Sequence, residues 1–203
     1  MKKNNITKKV LFVSNTSWSV YNFRKNLMKT LKEKDFNISF CTNYDKYTEK
    51  LEKEGFKYIK VKMDRKGRNP FKDLKLIFDF YRIYRKEKPD LIIHYTIKPN
   101  IYGSLAAKMV GTNCINTVTG LGYVFIKNNI LTKLVKTLYK FSFKSPTKIF
   151  FQNKDDLNLF LKNKIVKKEK SILVPGSGVK IKYFHPSFCE RIKKDSSFFI
   201  FLF

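Results

Sequence analysis

The fold of this chain is decided by one stretch of sequence, which reads Leu91-Ile-Ile-His-Tyr-Thr-Ile-Lys-Pro-Asn-Ile-Tyr-Gly-Ser-Leu-Ala-Ala-Lys108. Its first three residues are apolar, and a run this short indicates a buried strand of a parallel sheet. The sequence turns polar at His94. Pro99 and the small residues at 103–107 then predict a helix that packs closely on the sheet. The stretch therefore predicts a strand, a polar loop and a helix in succession.

The polar loop is the first candidate site. In open α/β sheets, ligands bind outside the carboxyl ends of the strands. His94, Tyr95, Thr96 and Lys98 fall at such an end, so we predict that they face a ligand. No carboxylate is adjacent in sequence to orient His94, which disfavours direct general-base chemistry. The competing interpretations are a structural histidine in the core and a solvated Lys98.

Strand and helix patterns alternate along the rest of the chain. Apolar or alternating runs predict further strands at residues 10–13, 36–41, 58–63, 114–118, 148–151 and 172–174. Helical spacing predicts helices at residues 20–34, 45–55, 70–88, 131–143 and 153–161, the last capped by Asn153. This alternation predicts the α/β class, with about seven strands in a doubly wound parallel sheet joined by right-handed crossovers.

The helical spacing also predicts which side chains face the core. The apolar faces expected for three of these helices consist of Phe23, Leu27 and Leu31; of Leu74, Ile77, Phe78, Tyr81 and Tyr84; and of Leu134, Val135, Leu138 and Phe141.

The composition is strongly basic. The 203 residues carry 43 Lys and Arg against 16 Asp and Glu, for a net charge of +27. This charge favours an anionic partner: a nucleic acid, an anionic membrane surface or a phosphorylated ligand. Lysines scattered over nearly every element are also typical of biased composition and solvated surfaces. No nucleic-acid recognition motif accompanies them, which disfavours a nucleic-acid partner.

Several classes of site are disfavoured by what the sequence lacks. The three cysteines show neither disulfide nor metal spacing, so we expect a reducing compartment, no metal site and no cofactor. No apolar run approaches the ~20 residues of a membrane span. We therefore expect a cytoplasmic protein that lies peripherally at the inner face of the plasma membrane.

A second candidate site is the segment at residues 15–19, which contains Trp18 and belongs to a polar loop predicted at 14–19 after the first strand. Hydroxyl and backbone donors at a helix start suit a phosphate or a sugar hydroxyl. The alternative is an ordinary helix cap by Ser17 or Ser19. This is where a dinucleotide fold carries G-x-G-x-x-G, and its absence disfavours a nicotinamide or methyl-donor enzyme. Asp155 and Asp156 are better explained as acidic residues that stabilise the first turn of a helix than as metal ligands.

Several of these positions together resemble the N-terminal half of glycosyltransferase family 4 enzymes. They lie at residues 20–24, 69–71, 98–108, 120–122, 138–144 and 151–153. The strongest match is Val174-Pro-Gly-Ser-Gly-Val179, continued at 183–186, where such domains join the second domain. The resemblance covers residues ~8 to 186 and is most similar to bacterial enzymes that add an N-acetylhexosamine to an undecaprenyl-diphosphate-linked sugar, in surface-glycan or protein-glycan assembly.

The resemblance implies the GT-B fold, in which two Rossmann-like domains face each other across a cleft. The N-terminal domain mainly meets the acceptor, and the C-terminal domain mainly holds the nucleotide-sugar donor. Catalysis is metal-independent and retains the anomeric configuration. Carried over by position, the cleft would be lined by Asn15, Thr16, Ser17, Trp18, His94, Thr96, Lys98, Asn100, Thr119, Gly120 and Gly122. Pro175, Gly176 and Gly178 would form the interdomain hinge, and no catalytic residue is identified.

The chain departs from the family pattern in two places. Lys180 stands where the family often has Asp, and residues 198–203 resemble an interrupted first strand of the second domain. We therefore expect an acceptor-side domain at residues 1–186, followed at 187–203 by a linker and a truncated strand. Such a chain would be inactive alone. The alternatives are the acceptor subunit of a two-chain glycosyltransferase and a basic Rossmann-like module that binds nucleic acid.

Overall fold

The computed structural model describes residues 7–64, 69–120 and 130–178. Seven parallel strands form one sheet within them, in the order β3-β2-β1-β4-β5-β6-β7. The strands are β1 Lys9–Thr16, β2 Asn37–Asn43, β3 Lys57–Lys60, β4 Leu91–Tyr95, β5 Asn113–Val118, β6 Lys148–Phe151 and β7 Ser171–Leu173. The predicted doubly wound parallel sheet is confirmed. The predictions for Gly122 and for residues 179–203, which include Lys180, lie outside the described residues.

The helices follow the strands in the alternating order that the sequence predicts. They are α1 Ser17–Phe23, α2 Lys25–Glu33, α3 Thr48–Lys53, α4 Pro70–Glu87, α5 Ser104–Val110, α6 Ile130–Ser142 and α7 Lys154–Lys162. A π-helical turn at Pro99–Gly103 leads into α5, and a 3-10 turn at Lys168–Lys170 precedes β7. The predicted cap of α7 is confirmed, because the backbone N–H of Asp156 donates to Asn153 Oδ1 at 2.7 Å.

Alternation along the strands divides the core into two sides of the sheet. In β1, Leu11 and Val13 pack with α4 and α5, whereas Val10 and Phe12 pack with α1, α2 and α3 on the opposite side. A further cluster packs β5 and β6 against α6 and α7, and Tyr102 packs against both this cluster and the α4–α5 cluster. The strand order reverses between β1 and β4, which places the topological switch point at the centre of the sheet.

The predicted apolar helix faces are wrong in part, because these helices carry large apolar residues on both faces. In α4, the buried residues are Leu76, Phe80 and Tyr84, while Leu74 and Phe78 are exposed. Residues predicted to face the core are also exposed in three other helices. They are Leu134 and Phe141 in α6, Phe23 in α1 and Leu27 in α2. Two apolar stripes give the same helical period, so periodicity alone does not determine which stripe meets the sheet.

The predicted helix at 20–34 is two helices rather than one. The backbone leaves helical geometry at Arg24, with φ −122° and ψ −15°, between α1 and α2. Val20 and Met28, four residues on either side, are both fully buried. Arg24 therefore occupies a position between two core-facing residues.

Candidate functional site

The candidate site lies at the carboxyl ends of β1 and β4, on both sides of the switch point. Asn15 and Thr16 end β1, and Thr96 follows directly after β4. The predicted loop at residues 14–19 is wrong: β1 continues to Thr16 and α1 begins at Ser17. Thr16 is the N-cap of α1, because the backbone N–H of Ser19 donates to Thr16 Oγ1 at 3.2 Å.

The four predicted residues in the first segment have different environments. Ser17 is fully buried, and its hydroxyl bonds the hydroxyls of Thr42 at 2.6 Å and Thr48 at 2.8 Å. The Ser17 hydroxyl is therefore buried inside the domain and is not presented at the edge of the sheet. Trp18 is 43% exposed and meets the Phe23 ring edge-on at 5.4 Å between ring centroids. An indole held at this edge offers a stacking surface to a sugar ring.

Asn15 is half-buried, and its side-chain oxygen has no hydrogen-bond partner among the described residues. Its main-chain oxygen accepts from Asn43 Nδ2 at 2.9 Å. The Asn15 amide thus retains an acceptor next to the switch point.

His94 does not belong to the predicted polar loop. It lies in β4 and is fully buried, with Nδ1 2.9 Å from Asn116 Oδ1 and Nε2 3.0 Å from the Tyr84 hydroxyl. Because an amide oxygen can only accept, Nδ1 carries the proton and Nε2 accepts from Tyr84. Burial lowers the pKa of His94 to about 4, so the ring is neutral at pH 7. The predicted ligand contact of His94 is not supported by this location.

His94 is part of a buried polar network that sequence reasoning missed. Asn116 Nδ2 donates to Ser104 Oγ at 2.8 Å and to the main-chain oxygen of Asn100 at 3.1 Å. Asn100 is 1% exposed, and its Nδ2 donates to the Thr117 oxygen at 2.9 Å. Asn100 therefore joins the π-helical turn to β5 rather than facing the solvent at the edge. The available sequence signal was the unusual density of polar residues within an apolar strand–helix unit.

Lys98 is paired within the domain. Its Nζ lies 2.6 Å from Asp73 Oδ1, and the Tyr102 hydroxyl donates to Asp73 Oδ2 at 2.8 Å. Asp73 is in the first turn of α4, where negative charge is favourable. The ion pair links the loop after β4 to the start of α4, which supports a positioning role for Lys98 rather than a free cation.

Backbone conformation is unusual on the rim of the site. Thr96 has φ +70°, and its hydroxyl donates to the main-chain oxygen of Tyr95. A β-branched residue rarely adopts this conformation, and such strain concentrates at functional sites. Thr119 and Gly120 are half-buried beyond β5, and Gly120 has φ +142° with open space where a side chain would lie.

The predicted hinge residues lie after β7. Pro175, Gly176 and Gly178 are exposed, and both glycines have positive φ, at +72° and +73°. Gln152 Nε2 donates to Ser177 Oγ at 2.8 Å, which attaches this segment to the end of β6.

The edge as described offers binding chemistry rather than acid–base chemistry. Asn15, Thr16, Trp18, Thr96 and Thr119, which carry hydroxyl, amide and indole groups, lie at or just after the carboxyl ends of β1, β4 and β5. Among residues 7–64, 69–120 and 130–178, no group of three or more His, Cys, Asp or Glu side chains has the arrangement of a metal site. Such a set of groups suits a neutral polyhydroxylated ligand.

The family model described as "Glycosyl transferase 4-like" matches residues 9–153, which include the sheet from β1 to β6 and this edge. The chain belongs to the glycosyltransferase 4-like family. The predicted family resemblance is thereby confirmed.

Two curated relatives are transferases that act on lipid-linked sugars. The chain is 31% identical over 189 residues to N,N'-diacetylbacillosaminyl-diphospho-undecaprenol alpha-1,3-N-acetylgalactosaminyltransferase of Campylobacter jejuni, covering 91% of this chain and 50% of that protein. It is 28% identical over 117 residues to UDP-Gal:alpha-D-GlcNAc-diphosphoundecaprenol alpha-1,3-galactosyltransferase of Escherichia coli, covering 57% of this chain and 30% of that protein. The chain thus spans about half the length of the Campylobacter relative, and its match covers 30% of the Escherichia coli relative.

Solved structures share the fold of this glycosyltransferase 4-like chain. A glycosyltransferase from Rickettsia africae superposes with a TM-score of 0.64 at 20% identity, over 92% of this chain and 47% of that one. Anabaena Alr3699/HepE, solved with UDP and glucose, superposes with a TM-score of 0.61 at 12% identity, over 89% and 48%. No helix in the described part of this glycosyltransferase 4-like chain is long and apolar enough to cross a membrane.

Proposed function

We propose that this chain is the acceptor-side half of a retaining bacterial glycosyltransferase of the GT-B type. The enzyme would transfer a hexose or N-acetylhexosamine from a nucleotide-sugar to a polyprenyl-diphosphate-linked saccharide, in lipopolysaccharide, capsule, other surface-glycan or protein-glycan synthesis. The observation that carries the proposal is the family match over residues 9–153. Relatives named for diphosphoundecaprenol-linked acceptors support the substrate class.

In this proposal, the edge around the switch point holds the acceptor. Trp18 stacks on a sugar ring, while Asn15, Thr16, Thr96 and Thr119 offer hydrogen bonds to its hydroxyls. The donor would be held mainly by a second domain connected through residues 175–178. Without that domain, the edge stays open to water and lacks the donor-binding groups that the second domain would supply. The chain alone is therefore proposed to be inactive.

The proposal is tested by joining the chain to the second half of a relative. The chain alone should show no transfer from UDP-sugars to a diphosphoundecaprenol-linked saccharide. A chimera that continues after residue 178 with the second half of the Campylobacter relative should transfer sugar. In that chimera, Trp18→Ala should lower kcat/KM about tenfold or more through loss of stacking. The matched control is Phe141→Ala, an exposed aromatic on α6.

Two results would contradict this function. Transfer by the chain alone would refute the requirement for a second domain. A folded chimera that neither transfers sugar nor binds the lipid-linked saccharide would refute the acceptor role, and salt-sensitive binding to RNA or DNA would then favour a nucleic-acid module.

The same proposal places the protein peripherally on an anionic membrane, and an exposed stripe on α4 supports this location. Phe71, Leu74 and Phe78 are 83%, 54% and 49% exposed and recur at helical spacing. Lys72 and Arg82 are exposed on the same helix. Of its acids, Asp79 pairs with Lys75, and Asp73 and Glu87 pair with lysines of other elements. Apolar side chains beside these exposed cations, of which Lys72 also lies 3.6 Å from Asp64, suit an anionic lipid surface.

The position of this stripe agrees with a lipid-linked acceptor. The Lys98–Asp73 ion pair joins the first turn of α4 to the loop that follows β4. The stripe therefore begins beside the carboxyl edge of the sheet. A polyprenyl tail embedded in the membrane and a saccharide at that edge could then be held by one domain.

Replacing Leu74 and Phe78 together with serine should weaken binding to anionic vesicles by at least about tenfold. The matched control removes one Leu and one Phe from the opposite helix layer, through Phe23→Ser and Leu27→Ser, and should bind like the unmodified chain. Flotation with vesicles of 30–40% anionic lipid at low salt, a composition chosen to strengthen surface attraction, provides the readout. Equal losses in both double variants would contradict an α4 docking surface.

A further inference from the structure

Arg24 occupies a position that the helix pattern assigns to the core. It lies four residues after Val20 and four before Met28, both fully buried. Its guanidinium carbon is 4.3 Å from the centroid of the Tyr95 ring. Tyr95 is the last residue of β4, is 4% exposed, and its ring stacks on Phe12 with 6.2 Å between centroids. The arginine thus lies over the carboxyl end of the central strand, beside the switch point.

Neither side chain has a polar partner in the described chain. No hydrogen bond or ion pair joins the Arg24 guanidinium or the Tyr95 hydroxyl to any residue of 7–64, 69–120 or 130–178. Two other half-buried cations of this domain have acidic partners: Lys25 contacts Glu54 at 3.0 Å and Lys98 contacts Asp73 at 2.6 Å. A core-facing cation without an anion is unfavourable for stability, and its retention indicates a role outside the fold.

The chemistry of the pair suits an anion. Burial lowers the pKa of Arg24, but the group stays charged at neutral pH, with five N–H donors in a planar fork. Burial raises the pKa of Tyr95 to about 12, so its hydroxyl remains a neutral donor. Such a fork binds two oxygens of a phosphate at once, and a neighbouring hydroxyl can donate to a third.

We propose that Arg24 and Tyr95 form a binding site for the diphosphate group of a substrate. Naming a substrate as the source rests on the proposed transferase function, since both a lipid-linked acceptor and a nucleotide-sugar contain this group. The site itself rests only on the unpaired donors and their position at the end of β4. The diphosphate would supply the anion that Arg24 lacks among residues 7–64, 69–120 and 130–178.

Fluorescence of Trp18, the single tryptophan, gives a direct assay, because Trp18 contacts Phe23, the neighbour of Arg24. Titration with inorganic pyrophosphate should change the emission saturably. Arg24→Met should weaken binding by about 10- to 100-fold, since charge-assisted hydrogen bonds are lost. Tyr95→Phe should weaken it by a smaller factor. The matched control is Arg85→Met, which removes an exposed arginine that also packs over a tyrosine ring, 5.7 Å from the Tyr81 centroid, and should leave binding unchanged.

Thermal unfolding separates binding from a structural role. Arg24→Met should keep or raise the Tm while binding is lost, because an unpaired cation leaves the core-facing position. If this variant fails to fold, Arg24→Lys serves instead: it keeps the charge without the fork and should still weaken pyrophosphate binding. Wild-type-like binding by the folded Arg24 variant, or no pyrophosphate binding by the unmodified chain, would overturn the proposal.

Competition experiments identify which substrate supplies the diphosphate. Together with the chimera, they also separate the anion site from the proposed transferase function. Geranylgeranyl diphosphate should displace pyrophosphate if the group belongs to the acceptor, and UDP should do so if it belongs to the donor. Either result supports the site. An inactive chimera combined with Arg24-dependent pyrophosphate binding would refute the transferase proposal and leave the anion site in place.

Discussion

Replacing Gly103 with alanine is expected to lower the free energy of unfolding by about 3 kcal/mol, through overpacking and loss of buried hydrogen bonds. Gly103 ends the π-helical turn in a right-handed conformation, with its backbone against the buried polar network. An added Cβ would lie 2.6 Å from His94 Nε2 and 3.0 Å from the Tyr84 hydroxyl. Both groups are held by hydrogen bonds, to each other and to Asn116, so neither can move away without breaking one.

Urea unfolding measured by circular dichroism checks this expectation. Gly111→Ala is the matched control, because Gly111 has φ +76° but nothing within 4 Å of the added methyl group. Left-handed backbone strain alone should cost the control about 1 kcal/mol. A Gly103→Ala variant as stable as the control would show that the network tolerates displacement.

The buried polar network connects the elements that surround the edge of the sheet at β4 and β5. It joins α4 through Tyr84, β4 through His94, β5 through Asn116 and α5 through Ser104. Thr96 and Thr119, which lie at the candidate site, are two and three residues after His94 and Asn116. Polar groups inside the domain thus hold the polar groups that the proposed acceptor meets.

The sequence was sufficient for the fold because the strand signals are strong and local. Each predicted strand lies within or overlaps an observed one, and Asn153 caps α7 as expected. The helix faces were harder to predict, since α4 and α6 carry apolar stripes on two sides. Position on the sheet, which is a tertiary property, determines whether Leu76 or Leu74 is buried.

The site was predicted less well because polar residues after a strand can face either direction. Ser17, His94 and Asn100 turn into the domain, where neighbouring elements supply partners that no local spacing reveals. Lys98 likewise pairs with Asp73, 25 residues earlier in the chain. Arg24 is the opposite case: its core-facing register was readable beside Val20 and Met28, but only the structure shows that no acidic side chain among the described residues pairs with it.

Titration of His94 is expected to make folding sensitive to acid. Its pKa in the folded protein is about 4, below the ordinary histidine value of 6.5, because burial disfavours the charged ring. The unfolded chain therefore binds the proton first, as pH falls below 6.5. The stability contributed by the neutral ring is fully present above pH 6.5 and is lost as pH falls towards 4. The loss amounts to about 3 kcal/mol over this window.

The measurement is the difference in unfolding free energy between the unmodified chain and His94→Gln at a series of pH values. Glutamine can hydrogen-bond in the core but does not titrate, so the difference should change by about 3 kcal/mol between pH 7 and pH 4. Carboxylates with shifted pKa, such as Glu54 and Asp156, are present in both proteins and cancel. Tyr84→Phe should lower stability at every pH while keeping the slope, since His94 remains. Parallel pH profiles for the unmodified chain and His94→Gln would mean that acid sensitivity comes from elsewhere, and that the ring can be protonated within the folded network.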